Sequence, residues 1–468
     1  MDDHSQPSAH LVGACGAGMK ALAEVLLDAD WSLSGSDLLP ASAGAQTLIR
    51  RGMVIHQGHS KENLPPSTDR LIYSPAIPAN NSERIEAARR HLPQFSYGQM
   101  IGQLMAASTG VCIAGTHGKS TTTAMTACIL DRARRLSAVV MGAELCDGGR
   151  SGWSGSGDLF VAESCEFQQS FLDFKPKYTA ILSIEPDHFD CYPSLDSLTS
   201  AFCDFAGGTS ADGVLLVNND CDVSATVSSQ VSIQSKRVSF GSKTTADWMA
   251  VDCRPTTSGS RFGLSHQGKS ITDVELGLFG RHNMMNALAA AALCCEIGIA
   301  PEIVREALAR FRGIRRRFEF VGEWNGVTFF DDYAHHPTAV KVTLETLRQV
   351  VGNRRIRCVF QPHQVRRTVE LMDEFAASFS AADEVLLAPV FAARESTGEQ
   401  PVLVSRELAG RISSNGVAAR AFASLDQIVS TLDDASCPGD VIVTMGAGDI
   451  DRIHHEFIRR VQSDSSAG

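Results

Sequence analysis

Short apolar runs alternate with longer amphipathic segments along most of the chain. The short runs are bounded by turn residues, as buried strands are, and the longer segments repeat their apolar positions at helical spacing. Predicted strands cover 10–12, 31–34, 71–78, 111–113, 159–163, 178–184, 214–220, 327–330, 355–360, 384–388 and 440–443. Predicted helices cover 20–28, 119–130 and 284–295 and begin near 338, 367, 406 and 452, with a connector and a helix over 93–107.

The order of these elements predicts an α/β protein, because strands that alternate with helices form mainly parallel sheets covered by helices. The chain has 468 residues, which exceeds one ordinary domain and favours about three. We therefore expect three domains, each with a mainly parallel sheet and flanking helices. They are a Rossmann-like domain at 1–107, a P-loop-type domain at 108–320 and a Rossmann-like domain at 321–468. Residues 228–269, rich in Ser, Thr and Gly, predict short and mostly exposed strands.

The stretch from Val111 to Thr123 predicts a phosphate-binding turn between a buried strand and a helix. Gly115 and Gly118 bracket the turn, and Lys119 and Ser120 open the helix, so backbone N–H groups and the helix end face one anion. Such a lysine reaches the β- and γ-phosphates of ATP, and such a serine coordinates magnesium. The spacing differs from the general G-x-x-x-x-G-K-[ST] pattern, and a turn without a ligand is the alternative. The candidate ATP-binding residues here are Gly115, Thr116, His117, Gly118, Lys119, Ser120 and Thr121.

Composition and charge narrow the class of protein. A formal charge of -11 argues against a nucleic-acid surface, so local groups have to meet an anionic ligand. Thirteen cysteines, without a C-x-x-C pair, are typical of reduced thiols and not of disulfides or a zinc site. Apolar runs stay below the ~18 residues of a membrane span, and the opening MDDHSQPSAH lacks the features of a secretory signal. We therefore expect a cytoplasmic protein that binds neither nucleic acid nor membranes.

A second glycine turn lies near the start of the chain. Gly13, Gly16 and Gly18 follow the first predicted strand, and Asp37 closes the next one about twenty residues later. Dinucleotide folds place a ribose-binding acid at this distance, so a nicotinamide-dependent oxidoreductase is one hypothesis. However, the order G-x-x-G-x-G differs from G-x-G-x-x-G, and such a turn serves any nucleotide diphosphate. Loop polarity alone is an alternative explanation for Ser74, at the end of the strand predicted to follow.

Acidic and imidazole groups end two predicted strands of the middle segment. Glu163 ends one strand and is followed by Glu166, and Glu185 and His188 follow the next strand. Open α/β sheets bind ligands at the carboxyl ends of their strands. Capping or solvation explains any single acid, but two such strand ends in the segment of the phosphate turn favour a magnesium site.

Three further groups of residues carry candidate chemistry. His282 and Asn283 stand just before a predicted helix, where capping is the alternative explanation. Residues 315–318 form one compact basic cluster, which is either a solvated joint between domains or the source of an active-site arginine. Residues 331–337 place two acids and two histidines between a strand and a helix that Pro337 starts. Adjacent histidines do not have the ligand spacing of a zinc site.

Taken together, these motifs resemble those of the Mur ligases of peptidoglycan synthesis. In chain order they are G-T-H-G-K-S-T from Gly115, E-P-D-H from Glu185, G-x-H-N-x-x-N from Gly280, R-R-F from Arg316 and D-D-Y-A-H-H-P from Asp331. The resemblance covers nearly the whole chain. The first glycine turn, the S-G-S-D that follows it and the later F-Q-P-H are most similar to members that attach L-alanine to UDP-N-acetylmuramate. Murein-peptide recycling ligases, which resemble F-Q-P-H poorly, are the alternative within the family.

The resemblance implies that each domain binds one substrate. The first would bind UDP-N-acetylmuramate, the second ATP with magnesium, and the third the amino acid, expected to be L-alanine. The implied UDP-sugar-binding residues are Gly13, Gly16, Gly18, Met19, Ser36, Asp37, Ser74 and Glu166. Beyond the phosphate turn, the implied ATP-binding residues are His282, Asn283, Arg317 and Asp332. The implied magnesium ligands are Ser120, Glu163 and His188, and the implied amino-acid-binding residues are His363, Arg366 and Arg367. The implied catalytic residues are Lys119, Arg317 and His335.

The implied reaction forms an amide through an acyl phosphate. The substrate carboxylate attacks the γ-phosphate of ATP, and the amino group of alanine then displaces phosphate. Lys119, Arg317 and magnesium would stabilise the transferred phosphoryl group. Because water hydrolyses an acyl phosphate, we expect the domains to close over the site, with a candidate hinge near Arg317. We expect a monomer or a weak homodimer.

Three parts of the chain depart from the family pattern. Cys165 and Gln168 stand where many members carry aspartates, although both glutamates of that motif are present. Gln364 replaces one of two arginines expected near the amino-acid carboxylate, and Arg366 is a candidate substitute for it. Tyr97 replaces an arginine expected before the first linker helix. A nucleotide-regulated binding protein without turnover is the alternative from another class, and it would tolerate loss of the predicted metal ligands.

Overall fold

The computed structural model describes residues 6–38, 43–393, 395 and 400–465. These residues form two compact units. The first takes its residues from 1–186, 190–278 and 283–314, and the second from 187–189, 279–282 and 315–468. Residues 1–5, on which the expectation of a missing secretory signal partly rests, lie outside the described residues. Among the described helices, none combines the length and the apolar character that crossing a bilayer requires.

The amino-terminal part of the first unit contains a five-stranded parallel sheet. Its strands are β1 (Ser8–Val12), β2 (Ser32–Asp37), β3 (Val54–Gln57), β4 (Arg70–Tyr73) and β5 (Gln94–Ser96). Its helices are α1 (Ala17–Asp28), α2 (Ala43–Arg50), α3 (Ser82–Arg89) and α4 (Tyr97–Ala106). The strand order is β3-β2-β1-β4-β5. Because all five strands run in one direction, the turn after β1 and the ends of β2 and β4 lie at one edge of the sheet.

The rest of the first unit contains a ten-stranded sheet. Its strands are β6 (Thr109–Ala114), β7 (Leu136–Val140), β8 (Gly152–Ser154), β9 (Leu159–Ser164), β10 (Pro176–Ile181), β11 (Val214–Asn218), β12 (Lys236–Gly241), β13 (Trp248–Thr256), β14 (Gly259–His266) and β15 (Lys269–Leu276). Its helices are α5 (Lys119–Arg132), α6 (Leu195–Gly207), α7 (Asp222–Gln230), α8 (Arg281–Ile297) and α9 (Pro301–Arg310). The first two residues of α8, Arg281 and His282, are assigned to the second unit. The order is β15-β14-β13-β12-β11-β10-β6-β9-β7-β8, so β6, which precedes the phosphate turn, lies between β10 and β9.

The last strands of this sheet differ from the sequence-based expectation of short, mostly exposed strands over 228–269. Strand β13 has nine residues and β14 has eight, and both pair in antiparallel fashion. Phe262 and Leu264 on β14 are fully buried in the core. The expectation was wrong for the lengths of these strands and for the burial of β14, whose apolar residues stand among Ser, Thr and Gly, whereas six of the nine residues of β13 are exposed as expected. A sheet with one buried face needs only every second residue to be apolar.

Helix α8 is deeply buried in the core beside the ten-stranded sheet, because most of its buried side chains are small. Residues 287–294 are all fully buried, and five of these eight are alanines. The predicted start of this helix was wrong, because α8 begins at Arg281. His282 and Asn283 therefore lie in its first turn and not just before it.

The second unit contains a six-stranded sheet with the order β16-β17-β21-β18-β19-β20. Its strands are β16 (Glu319–Trp324), β17 (Val327–Asp332), β18 (Ile356–Phe360), β19 (Glu384–Leu387), β20 (Ala418–Ala421) and β21 (Val441–Met445). Its helices are α10 (Pro337–Val351), α11 (Val365–Glu370), α12 (Met372–Ala377), α13 (Gln400–Ser414), α14 (Leu425–Ala435) and α15 (Arg452–Ser465). Only the edge strand β16 runs antiparallel to its neighbour among the described strands of this sheet.

The predicted fold class, α/β with three mainly parallel sheets and flanking helices, is confirmed. The boundaries near 107 and 320 stay predictions. Several strand ends were misplaced; for example, β10 ends at Ile181 and β11 at Asn218, before the predicted ends at 184 and 220. Strand β4 ends at Tyr73, whereas the prediction extended it to Pro78. Asp331 and Asp332 are the last two residues of β17, whereas the prediction placed them after the strand.

Candidate active site

The phosphate turn lies between β6 and α5, and two glycines give it its shape. Gly115 and Gly118 have φ angles of 137° and 81°, which residues other than glycine rarely adopt. A Cβ atom on Gly118 would also lie 2.3 Å from Oδ1 of Asn286. The backbone N–H of Thr116 donates to the carbonyl of Ser183 at 2.6 Å and holds the turn to the end of β10. The turn therefore has the form of an anion cradle at the carboxyl end of β6.

Thr116 and His117 also tie the turn to the segment after β10. The Thr116 hydroxyl donates to the carbonyl of Glu185 at 3.1 Å and accepts from the N–H of Glu185 at 2.9 Å. Nε2 of His117 lies 3.3 Å from a carboxylate oxygen of the same glutamate. Thr121, in the first turn of α5, is buried. Thr116 and His117 thus shape the turn through one acidic residue.

Lys119 is held at this turn by Glu166. Its Nζ lies 2.9 Å and 3.2 Å from the two carboxylate oxygens of Glu166, and it also donates to the carbonyl of Gly115. The Glu166 side chain is only 1% exposed. Burial alone would lower the pKa of Lys119, but the Glu166 carboxylate raises it above the ordinary lysine value. Lys119 is therefore a fixed positive charge beside the cradle, as transfer of a phosphoryl group requires.

Ser120 and Glu163 present two oxygen donors next to each other. The Ser120 hydroxyl donates to Oε1 of Glu163 at 2.8 Å, and the N–H of Gly142 donates to the other carboxylate oxygen. Hard cations such as Mg²⁺ take oxygen ligands, so these two residues fit the predicted metal. The third predicted ligand, His188, belongs to the second unit. It has a left-handed φ of 52°, and its N–H donates to the carboxylate of Asp187 at 2.7 Å.

The first glycine turn is held by the end of β2. The N–H of Gly13 donates to the carbonyl of Ser36 at 2.8 Å, and the N–H of Cys15 donates to the carboxylate of Asp37 at 2.9 Å. Gly13 has a φ of 81°, and a Cβ atom there would lie 2.9 Å from Cβ of Ser74. The predicted UDP-sugar residues Gly13, Asp37 and Ser74 are therefore brought together at one edge of the sheet.

Two other predicted UDP-sugar residues are buried. Met19 lies in the apolar core at 2% exposure. The buried Ser36 hydroxyl donates to the carboxylate of Glu83 at 2.6 Å. Burial alone would raise the pKa of Glu83, but hydrogen bonds from His10, Ser36 and Asn63 lower it to about 2. Met19 and the Ser36 side chain thus support the turn from behind. Gly16 precedes the first residue of α1, and Gly18 lies in its first turn.

Two acids end β17 in the second unit, and both are buried. Asp332 accepts hydrogen bonds from the N–H groups of Phe318 and Ala334, each at 2.7 Å. Asp331 accepts from Nε of Arg316 at 3.1 Å. Burial raises the pKa of Asp331 to about 6, although Arg316 acts against this shift. Asp332 therefore fixes the backbone just before β16 and just after β17.

Arg317 lies near His282 and Asp332 in the same unit. Its guanidinium carbon is 4.9 Å from the ring centroid of Tyr333. Burial, together with the charge of Arg317, lowers the pKa of His282 to about 4. Nδ1 of His282 is buried and has no hydrogen-bond partner among the described residues. A buried ring nitrogen without a partner is suited to a hydrogen bond with the nucleobase of a ligand.

His335 is a half-buried imidazole whose tautomer follows from one contact. Its Nδ1 lies 2.8 Å from the carbonyl oxygen of Tyr333. Because a carbonyl only accepts, Nδ1 carries the proton and Nε2 of the neutral ring keeps its lone pair. Burial, then the positive charge of Arg367, holds the pKa of His335 well below its usual range, although Asp187 acts in the opposite direction.

We expect the His335 ring to remain neutral through the pH range around 6.5 in which an unperturbed histidine titrates. In an NMR titration, the His335 ring signal, identified by its loss in His335→Gln, should not shift through this range. Because the unfolded ring takes up a proton that the native ring does not, His335 should lower stability as the pH falls through the unfolded pKa, near 6.5. A ring signal with a midpoint near the ordinary value would contradict this assignment.

The predicted amino-acid-binding arginines lie in different environments. Arg367 is buried, and its guanidinium donates to Oδ1 of Asp187 at 2.7 Å and 2.8 Å and lies 3.1 Å from Nδ1 of His363. Arg366 is exposed. Gln364 precedes α11 with a left-handed φ of 68°. His363 and Arg367 are therefore brought together, whereas Arg366 is not part of this buried cluster.

Sequence reasoning missed two residues that the structure places at these sites. Asn286 lies against Gly118 of the phosphate turn, and its amide is 3.4 Å from Oδ1 of Asn283. The spacing of three residues on one helix could have indicated this shared face. Asn286 and Asp187 were both noted only as parts of motifs, and the pairing of Asp187 with Arg367 joins residues 180 positions apart. The sequence carried no signal for that pairing.

Comparison with families of known proteins gives matches over three consecutive parts of the chain. Residues 8–109 match "Mur ligase family, catalytic domain", residues 113–294 match "Mur ligase middle domain" and residues 316–448 match "Mur ligase, glutamate ligase domain". The UDP-N-acetylmuramate–L-alanine ligase of Desulfitobacterium hafniense (strain Y51) is 37% identical over 450 residues. That alignment covers 96% of this chain and 99% of the relative.

Two crystal structures have similar folds over the whole chain. The UDP-N-acetylmuramate-alanine ligase MurC of Thermotoga maritima has a TM-score of 0.83 and 26% identity, and the match covers 98% of this chain and 99% of that one. A murein peptide ligase of Psychrobacter arcticus has a TM-score of 0.73 and 24% identity, covering 97% and 98%. At that identity, the second match indicates the fold alone.

Proposed function

The chain belongs to the Mur ligase family, and we propose that it joins L-alanine to the lactyl carboxylate of UDP-N-acetylmuramate with cleavage of ATP to ADP and phosphate. The observation that carries this proposal is the charged Lys119 fixed by Glu166 at the glycine turn. A turn of this kind serves transfer of a terminal phosphoryl group. The full-length similarity to a ligase of this name supports the choice of substrates. We place the reaction in the cytoplasm, where ATP is available.

We propose that the substrates are divided among the three sheets. The turn after β1 would bind the UDP-sugar, with Gly13, Asp37 and Ser74 at its edge. The turn after β6 would bind the phosphates of ATP. The six-stranded sheet would bind the amino acid near His363 and Arg367. Because Asp187 already pairs with Arg367, the carboxylate of L-alanine would bind there by sharing or replacing this partner.

The proposed chemistry assigns a separate task to each side chain. The lactyl carboxylate attacks the γ-phosphate, and Lys119 stabilises the negative charge on the transferred oxygens. The amino group of L-alanine then attacks the acyl phosphate and releases phosphate. Neutral His335 has a free lone pair on Nε2, which can accept the proton that the attacking amine loses. Arg317 supplies a second positive charge for phosphate oxygens.

Ser120 and Glu163 are the residues that we propose to hold Mg²⁺, with His188 as the third ligand predicted from the sequence. When bound, the ion would neutralise phosphate charge as a Lewis acid. The Ser120 hydroxyl donates to the Glu163 carboxylate, so binding of the cation would break this hydrogen bond and bring both oxygens onto the metal.

Glu163→Gln should therefore raise the Mg²⁺ concentration needed for half-maximal activity. Loss of one anionic ligand is expected to raise it at least about tenfold, by analogy with the 10- to 100-fold effects seen at other metal sites. The measurement is a Mg²⁺ titration of phosphate release at saturating ATP. Glu144→Gln is a matched control, because the Glu144 carboxylate pairs with Lys20 and not with Ser120. An unchanged Mg²⁺ dependence in Glu163→Gln would exclude Glu163 as a ligand.

Phosphate release from ATP tests the whole proposal. Release should require both UDP-N-acetylmuramate and an amino acid, and L-alanine should be used in preference to glycine and L-serine. A murein tripeptide as the acceptor tests the recycling alternative within the family. Phosphate release without UDP-N-acetylmuramate and without an amino acid would contradict the proposal. Turnover with the tripeptide but not with L-alanine would also contradict it. A change in the fluorescence of reduced nicotinamide cofactor on binding would instead support the oxidoreductase hypothesis.

A further inference from the structure

Two adjacent glutamines have an unusual backbone conformation in the segment 166–171, which follows β9. Gln168 and Gln169 have φ angles of 51° and 55°, and both residues are exposed. The left-handed conformation is disfavoured for residues other than glycine, asparagine and aspartate. Strain of this kind persists only where the surrounding structure imposes it, and it clusters at functional sites.

Both ends of this segment are anchored. The carbonyl of Glu166 accepts hydrogen bonds from the Tyr192 hydroxyl at 2.6 Å and from the N–H of Gln169 at 2.9 Å. At the other end, the buried Phe171 stacks on Phe205 with a centroid distance of 4.5 Å. These anchors fix the chain before and after the two glutamines and leave their amide side chains at the surface.

The segment lies between the two glycine turns of the first unit. A Cβ atom on Gly18 of the first turn would lie 3.1 Å from the Tyr97 ring. Gly98, the residue after Tyr97, approaches the segment so closely that an added Cβ atom would lie 2.6 Å from the carbonyl oxygen of Ser170. On its other side the segment begins at Glu166, the partner of the phosphate-turn lysine. A substrate that extends from one turn to the other therefore passes this segment.

The chemistry of glutamine suits one part of such a substrate. A primary amide both donates and accepts hydrogen bonds and carries no charge. It can therefore pair with the hydroxyl and acetamido groups of a sugar, and it adds no repulsion toward the carboxylate or phosphates nearby. We propose that Gln168 and Gln169 bind the N-acetylated sugar of the UDP-linked substrate and that the strained backbone holds them in place for this role. This inference rests on the proposed function.

The test separates strain from recognition in the full-length protein. Gln168→Gly/Gln169→Gly removes both amides and relieves the strain, because glycine adopts positive φ freely. This variant should melt at a higher temperature and bind UDP-N-acetylmuramate about tenfold more weakly, the effect of losing two hydrogen bonds. Gln168→Ala/Gln169→Ala should weaken binding equally without the gain in melting temperature. Calorimetric titrations with UDP-N-acetylmuramate, UDP-N-acetylglucosamine and UDP measure the affinities.

Gln267 provides a matched control. It is an exposed glutamine with a φ of 49° in the turn between β14 and β15. Gln267→Gly should raise the melting temperature in the same way but leave the affinity for every nucleotide unchanged. The affinity for UDP alone should also stay within about twofold in the 168/169 variants, because the amides are assigned to the sugar.

The outcomes distinguish this inference from the proposed function. Wild-type protein that fails to bind UDP-N-acetylmuramate would overturn both. Wild-type protein that binds it, with both double variants within about twofold of wild type, would overturn only the role of the glutamines. An equal loss of affinity for UDP and for the two UDP-sugars would overturn the assignment to the sugar. Losses confined to the two UDP-sugars would support it.

Discussion

Lys119→Ala is expected to lower kcat for phosphate release about 10³-fold, the upper range for removal of one preorganised charge-stabilising group. Its ammonium is held at the turn by Glu166 at 2.9 Å, so the charge is in position before the phosphoryl group moves. Since the backbone of the turn remains, ATP should still bind. The measurement is steady-state phosphate release with all three substrates, together with calorimetric binding of ATP. A variant that keeps more than about a tenth of the wild-type kcat would contradict the assigned role.

The same substitution should also destabilise the first unit. It leaves the carboxylate of Glu166, which is 1% exposed, without its cation, and such a loss typically costs about 3–5 kcal/mol. Lys119→Ala/Glu166→Gln should recover much of the melting temperature but none of the activity. Lys177→Ala is the control, because Lys177 pairs with Asp212 at the surface and should affect neither property. Equal activity loss in both lysine variants would indicate a general folding defect.

The sequence predicted the local parts of this site well. The strand, glycine turn and helix around Lys119 follow from residues close together in the chain, and the structure shows β6 and α5 where they were expected. Parallel strands bind ligands at their carboxyl ends, and this rule predicted that the acids at the ends of β9 and β10 belong to the site. These predictions need only the hydrophobic pattern and the chemistry of the turn residues.

Other parts depend on contacts that no local pattern contains. Glu166 stays a predicted sugar ligand, and the sequence did not indicate that its carboxylate also pairs with Lys119, which lies 47 positions earlier. Ser36 stays a predicted UDP-sugar-binding residue, and its hydroxyl donates to Glu83, a residue on α3 that the sequence pattern did not link to it. Asp331 and Asp332 extend β17 because β21 continues to pair beside them, and this pairing joins distant segments. In each case the deciding partner comes from another element of the fold.

Glu384→Gln should destabilise the second unit by about 3–5 kcal/mol, the usual cost of breaking a buried ion pair from one side. Glu384, the first residue of β19, accepts from Nε of Arg357 at 2.9 Å, and the Arg357 side chain is 1% exposed. Arg420 also donates to this carboxylate, at 2.8 Å, but is about half exposed. The substitution therefore leaves one guanidinium buried without a counter-charge. Urea unfolding, with hydrogen exchange of β18 and β19 to locate the loss, measures the effect.

Arg420→Gln is the matched control for Glu384→Gln and should cost less than about 1 kcal/mol, because exposed ion pairs contribute little. The effect of pH provides a second check. Burial alone would raise the pKa of Glu384, but Arg357 and Arg420 lower it below the ordinary value. Its contribution to stability is therefore present above pH 4.5 and is lost as the pH falls. The difference between wild type and Glu384→Gln should shrink in acid, where the native carboxylate takes up a proton. A difference that stays constant down to the acid transition would show that packing, and not charge, makes Glu384 necessary.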